Sequence, residues 1–173
     1  MPRRRAAERP GFAARVSVRV RAGGRGEEGD GDRAFITELG RRCVMTSVAS
    51  ARPAPPAMVR LAFDRLCEIV ESQSHVTLIA QRNGERVGFL LFLDQLPDEV
   101  TTLPQGFVAY MAVEPDHRGV GVGAALLAAA EGEARRRGLP YMALMVTEEN
   151  EAARKLYHRS GYRTERRLLC KRL

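Results

Sequence analysis

The chain has no tryptophan, and only two of its 28 basic residues are lysines, Lys155 and Lys171. Its three cysteines, Cys43, Cys67 and Cys170, stand far apart. That spacing excludes a disulfide framework and fits a reducing, cytoplasmic setting. The three histidines are scattered and no cysteine–histidine group has metal-ligand spacing, so no metal is expected. No apolar run approaches the ~20 residues of a membrane helix, and no membrane partner is expected. The first residues, MPRRRAAERPGF, are basic with no apolar segment behind them, so they are not a secretory signal. Residues 1–14 read as a disordered basic leader.

What remains is an ordinary globular composition. With 173 residues the chain can bury one real core but not two, which makes 15–173 a single domain. The formal net charge of +7 would suit nucleic acid or another anion. The charge is spread along the chain, however, with no interleaving of aromatic and basic residues. A nucleic-acid partner is therefore not expected, and such a partner would show itself by affinity that falls steeply with salt.

Hydrophobic periodicity gives the elements. Alternating Val16, Val18 and Val20 predict a half-buried strand over 15–21, followed by a glycine-rich loop. Phe35, Ile36, Leu39 and Cys43 predict a helix over 33–45. After the proline-rich 51–57, a second helix should run from Pro56 to about Glu71, with Leu61, Phe63, Leu66, Ile69 and Val70 as its apolar side. A strand over 75–81, the turn dipeptide of Asn83 and Gly84, and a strand over 86–93 form a hairpin, and the almost wholly apolar 86–93 should be central and covered on both faces. A loop with two prolines and three acids, 94–105, precedes a strand over 107–113. Beyond lie a helix ending near Arg137, a strand over 141–146, a helix over 150–160 capped by Gly161, and one or two strands in 162–173. The fold class is mixed α/β on one sheet.

Between Val113 and the third helix stands EPDHRGVGVGAALL. Glycine is a poor helix former, yet Gly119, Gly121 and Gly123 sit where a helix should begin. A helix N-terminus offers unpaired N–H groups and the positive end of the dipole. Glycines let a phosphate approach that backbone closely, and Arg118 adds a forked cationic donor. The pattern therefore reads as a pyrophosphate site. Two other readings stay open at this point: a helix start that merely packs tightly, and a dinucleotide fingerprint. Against the latter, five residues separate Val113 from Gly119, whereas the fingerprint's first glycine follows its strand closely, and more than a hundred residues precede the motif.

A second motif, NEAARKLYHRSGY, spans 150–162 and places Asn150, Ala153, Leu156 and Tyr157 near one side of a helix. Asn150 could be an N-cap, and Tyr157 could be a packing tyrosine. Together the two segments resemble the GCN5-related N-acetyltransferase (GNAT) superfamily. Its phosphate motif is matched by Arg118, Gly121 and Gly123, and its later pattern by Asn150, Ala153, Leu156, Tyr157, Gly161 and Tyr162. The element order from Arg15 onward suits that fold as well.

The resemblance implies a central, mostly antiparallel mixed sheet with helices on both faces and a splayed parallel strand pair, 107–113 and 141–146. It implies acetyl-CoA as co-substrate, with the pantetheine arm along Met111, Ala112 and Val113. The pyrophosphate would lie on the amides of Arg118, Gly119, Val120, Gly121, Val122, Gly123 and Ala124. A primary amine of a small molecule or protein would attack the thioester directly. Asn150 would bond the pantetheine arm, and Tyr157 would contact the cofactor and protonate the departing thiolate. The strand glutamate that some members use as base is replaced here, in Leu144-Met145-Val146. Glu114, Glu71, Glu148, Glu149 or a water are the alternatives. A CoA-binding module without transfer chemistry is the second reading. The acceptor should lie among the first two helices and the 94–105 loop, where Asp94, Asp98 and Glu99 could attract a cation. The last strand could pair with a partner's edge in a homodimer.

Overall fold

The computed structural model describes residues 15–22 and 27–173, so the expected leader 1–14 lies outside the described residues. The strands are β1 (Ser17–Ala22), β2 (His75–Arg82), β3 (Glu85–Leu93), β4 (Gln105–Val113) and β5 (Tyr141–Leu144). The helices are α1 (Glu27–Cys43), α2 (Pro56–Glu71), α3 (Val122–Arg136) and α4 (Glu151–Arg159), with 3-10 turns at Val44–Ser47 and Pro115–His117.

The five strands form one sheet in chain order, antiparallel from β1 to β4 and parallel between β4 and β5. The β2–β3 hairpin closes on Asn83 and Gly84, both at positive φ (53° and 81°), as a two-residue turn of this twist requires. β3 is buried from Val87 to Leu93, and its alternate side chains serve the two faces. Phe89, Leu91 and Leu93 join Ile36, Leu39, Phe63 and Val70 of α1 and α2. Leu90 and Phe92 join Leu126, Leu127, Ala130 and Ala134 of α3. Helices thus cover both faces of a single domain, as expected.

Four elements differ from the sequence expectation. α1 begins at Glu27 rather than near Arg33 and ends at Cys43. Gly29 and Gly31 weaken the helical signal there, but Asp32, only 3% exposed, is held by charge. Its carboxylate lies 2.7 Å from Arg86 Nε, 2.9 Å from Arg19 Nη2 and 3.1 Å from Arg21 Nε, so α1 is tied to β1 and β3. On α2, Phe63 and Val70 face the core, whereas Leu61 and Ile69 point outward at 51% and 52% exposure. β5 stops at Leu144 instead of residue 146. No strand forms in 162–173: the chain leaves α4 through Gly161 (φ 89°) and continues without a ladder.

Candidate active site

The parallel pair is short. β4 and β5 pair only where 105–108 meets Tyr141–Leu144. β4 then continues to Val113 with no strand on that side among the described residues. The backbone at Met111, Ala112 and Val113 therefore presents one free edge to the gap beyond β5. A β-bulge in the β3–β4 ladder, between Leu91 and Phe92, skips Ala109 and bends β4 just before this stretch. The gap is a wedge: β4 and β5 are joined at one end and apart at the other.

The start of α3 faces the chain as it leaves β4. Gly119 and Gly121 have φ of 74° and 93°, a left-handed backbone that side chains resist, and a Cβ at either would meet nothing within 4 Å. Val120 is half exposed and Ala124 exposed, whereas Val122 turns inward and is 1% exposed. Gly121 caps the helix, so the N–H groups of Val122, Gly123 and Ala124 have no partner within the helix. Arg118 lies at the outer side of this turn. Its Nε donates to the Val113 carbonyl at 3.1 Å, and its Nη2 approaches Cys43 Sγ at 3.3 Å. That contact with α1 was not visible in the sequence.

Gly123 joins the two motifs. A Cβ there would stand 2.8 Å from Leu156 Cδ2 and 3.9 Å from Met111 Cε, so α4 packs directly on the first turn of α3 beside β4. Asn150 caps α4, its side chain accepting from the Ala153 N–H at 3.2 Å. Tyr157 packs against the cluster formed by β4 and α3, edge-on to Tyr162 with ring centroids 6.0 Å apart. Among the described residues the Tyr157 hydroxyl has no hydrogen-bond partner. Burial pushes its pKa upward, so the phenol stays protonated beyond the usual tyrosine range. Burial also pushes Tyr110 of β4 up to about 12. Tyr110 is therefore no base at neutral pH.

The acids considered as base are all engaged. Glu114 is bound by Arg42 at 2.6 Å, Glu71 by Arg33 at 2.8 Å and Glu148 by Arg154 at 3.1 Å. Glu149 accepts from the Ser50 hydroxyl at 2.6 Å and its N–H at 3.0 Å, which holds the carboxyl below its ordinary pKa. Thr147 donates to the Ser47 carbonyl at 2.8 Å. These three bonds clamp the α1–α2 connection onto the chain just after β5. The acids of the 94–105 loop are paired too: Asp94 with Arg137 at 2.8 Å, and Asp98 with Arg166 at 2.6 Å, while Glu99 also binds Arg166. A groove of about 640 Å³ follows the outer side of α1, from Asp30 to Arg42, rather than the wedge. Its Arg42 also binds Glu114, the residue that follows β4.

Residues 45–162 match the profile of the acetyltransferase (GNAT) family. Among curated relatives, the chain is 38% identical over 84 residues to a mycothiol acetyltransferase of Thermobispora bispora, a match covering 49% of this chain and 28% of that protein. The chain thus spans well under half the length of that relative. Among solved structures, a putative acetyl transferase from Pyrococcus furiosus superposes with a TM-score of 0.72 at 24% identity, over 91% of this chain and all of that one. An aminoglycoside N-acetyltransferase, AAC(6')-Iy, solved in complex with CoA, superposes with a TM-score of 0.60 at 19% identity, over 94% of this chain and 97% of that one. At these identities the two structures speak for the fold.

Proposed function

Because the chain belongs to the acetyltransferase (GNAT) family, we propose that it transfers an acetyl group from acetyl-CoA to a primary amine in the β4–β5 wedge. The observation that carries this reading is the free backbone edge at Met111, Ala112 and Val113 lying next to an open helix N-terminus. An extended amide chain bonds to an unpaired strand edge as another strand would. A pyrophosphate fits unpaired N–H groups at the start of a helix. Acetyl-CoA has both parts in sequence, and the glycines leave room for the second.

In this reading the pantetheine amides pair with β4 and the pyrophosphate takes the amides from Gly119 to Ala124. The Arg118 guanidinium anchors the turn to β4. Asn150 fixes the start of α4 and so the position of Tyr157. The neutral amine attacks the thioester carbon, and a backbone N–H of β4 stabilises the oxyanion that forms. The tetrahedral intermediate collapses, the C–S bond breaks, and Tyr157 gives its proton to the departing thiolate, while the proton that the acetylated nitrogen must lose passes through water and restores the phenol. The products are an N-acetyl amide and CoA. Since the nearby acids already bind arginine or serine, the proton of the incoming ammonium leaves through water.

The test is release of the CoA thiol from acetyl-CoA across a panel of amines, with product masses read in parallel. Amine-dependent release with a gain of one acetyl group per product is the expected result. The second reading, a CoA-binding module, is favoured by Met145 standing where a catalytic acid could be. It predicts acetyl-CoA binding with no release on any amine.

A further inference from the structure

The turn between β4 and the glycines carries two acids, Glu114 and Asp116. An acid there opposes the use proposed for the start of α3, because a pyrophosphate is itself an anion. Asp116 is exposed, so water and salt screen it. Glu114 is not so open, with a side chain only 22% exposed. Its backbone also stands close to α3. The Glu114 N–H donates to the Val87 carbonyl at 2.9 Å. A Cβ on the next residue, Gly88, would stand 3.3 Å from Val122 Cγ1 and 3.4 Å from Leu126 Cδ1, so the first turns of α3 sit on β3 at this point.

α1 brings a second negative influence. It ends at Cys43, and the carbonyl end of a helix is the negative end of its dipole. Arg118 Nη2 lies 3.3 Å from Cys43 Sγ, so that end rests against the residue just before Gly119. Arg42, in the last turn of α1, offsets both. Its Nη1 and Nη2 donate to the two carboxylate oxygens of Glu114 at 3.0 and 2.6 Å, the forked geometry of a strong guanidinium–carboxylate pair. The fork is not what shapes the turn. The His117 N–H donates to the Glu114 carbonyl at 2.9 Å, the Arg118 N–H to the Pro115 carbonyl at 3.2 Å, and Arg118 Nε to the Val113 carbonyl at 3.1 Å. Those bonds close the turn without Arg42.

We propose that Arg42 is a positioning residue for acetyl-CoA and acts through Glu114. It holds the carboxylate against α1 and cancels its charge, so the amides from Gly119 to Ala124 receive the pyrophosphate without a competing anion beside them. This role rests on the reading of the α3 start as the pyrophosphate site. It adds to that site a residue from α1, more than seventy positions upstream and outside both motifs. Arg42 touches no reacting atom, so its effect falls on binding of the donor and not on the chemical step.

The test is calorimetric titration with acetyl-CoA of the wild type, Arg42→Gln, Glu114→Gln and the double variant, each at low and at physiological salt. Arg42→Gln leaves the carboxylate uncancelled. It should weaken acetyl-CoA about tenfold at low salt, the effect of a unit charge about 10 Å away at an effective dielectric constant near 20. Added salt should narrow the difference. Turnover at saturating acetyl-CoA should stay as in the wild type. Glu114→Gln should bind no more weakly than the wild type, and the double variant should recover most of the affinity that Arg42→Gln loses. A pair that only braces the turn gives another pattern: Glu114→Gln and the double variant lose as much as Arg42→Gln, because each breaks the fork. That pattern overturns the proposal, as does Arg42→Gln binding like the wild type. Should Arg42→Gln fail to fold by circular dichroism, Glu114→Gln decides, and weaker binding by that variant refutes the role. A wild type that does not bind acetyl-CoA removes the pyrophosphate reading and this role together, whereas normal wild-type binding with the bracing pattern removes the role alone.

Discussion

Tyr157 is the one polar-tipped side chain of α4 that packs into the cluster shared by α3 and β4, and its hydroxyl has no hydrogen-bond partner among the described residues. Such a group is placed to donate a proton when a leaving group arrives. Tyr157→Phe keeps the ring and its packing but removes the proton. It should lower turnover by about 100-fold or more, in the range for general-acid catalysis, while leaving acetyl-CoA affinity unchanged. In the wild type, turnover should hold through the usual tyrosine range and fall only above it, because burial raises the pKa of the phenol. Steady-state rates against pH for both proteins check this. Unchanged turnover in the variant would remove Tyr157 from the acid role. At this scale the sequence was informative where a residue's identity implies its geometry. Asn150 is an N-cap because asparagine accepts an amide proton well, and Gly121 adopts the backbone that only glycine takes easily. The long-range partners were not legible. Nothing local to Arg118 points to Cys43, and nothing local to Glu149 points to Ser50.

At the scale of elements, the start of α3 separates two roles for glycine. Gly121 has φ of 93°, so any side chain is strained there even though the space is open. Gly121→Ala should cost about 1–2 kcal/mol, the usual penalty for a left-handed alanine, and should weaken acetyl-CoA binding by turning the amides away. Gly123 is inside the helix, and the one close approach of an added Cβ is to the end of the Leu156 side chain, which can rotate, with Met111 Cε at ordinary contact distance. Gly123→Ala should therefore bind acetyl-CoA nearly as the wild type does. Thermal midpoints and titrations of the two variants make the comparison; equal losses in both would contradict it. The elements that sequence periodicity located well are those with one buried face, such as α3, whose Leu126, Leu127, Ala130 and Ala134 are all in the core. Those it misjudged owe their form to something non-local. α1 starts early because three arginines draw in Asp32. The tail reads as a strand from its sequence, but it joins no ladder among the described residues.

Across the whole molecule, arginine pairing shapes the response to pH. The carboxyl of Asp64 is held below its ordinary range by Arg41, that of Glu133 by Arg136, that of Glu149 by Ser50, and that of Asp98 by Thr101 and then Arg166. A depressed carboxyl pKa gives stability that is complete above the unfolded-state value and is lost as pH falls through the folded one. The half-buried Cys67 thiol, at about 11, and the Tyr110 and Tyr162 phenols, each at about 12, are shifted the other way by desolvation. Their contribution is complete below the unfolded-state values and is lost as pH rises. The thermal midpoint should thus be flat from about pH 5 to pH 8 and fall on both sides, given ordinary carboxyl values near 4 and thiol values near 8.5. A midpoint that rises below pH 4 would contradict the pairing.

The central claim is that the wedge and the α3 N-terminus together hold acetyl-CoA, and calorimetric titration of the full chain with acetyl-CoA, with NAD as the control, tests it most directly. The account predicts saturable heat with acetyl-CoA and none with NAD. No binding of acetyl-CoA, or equal binding of both, would mean that the glycines serve packing or another anion, and the roles given to Tyr157 and Asn150 would fall with them.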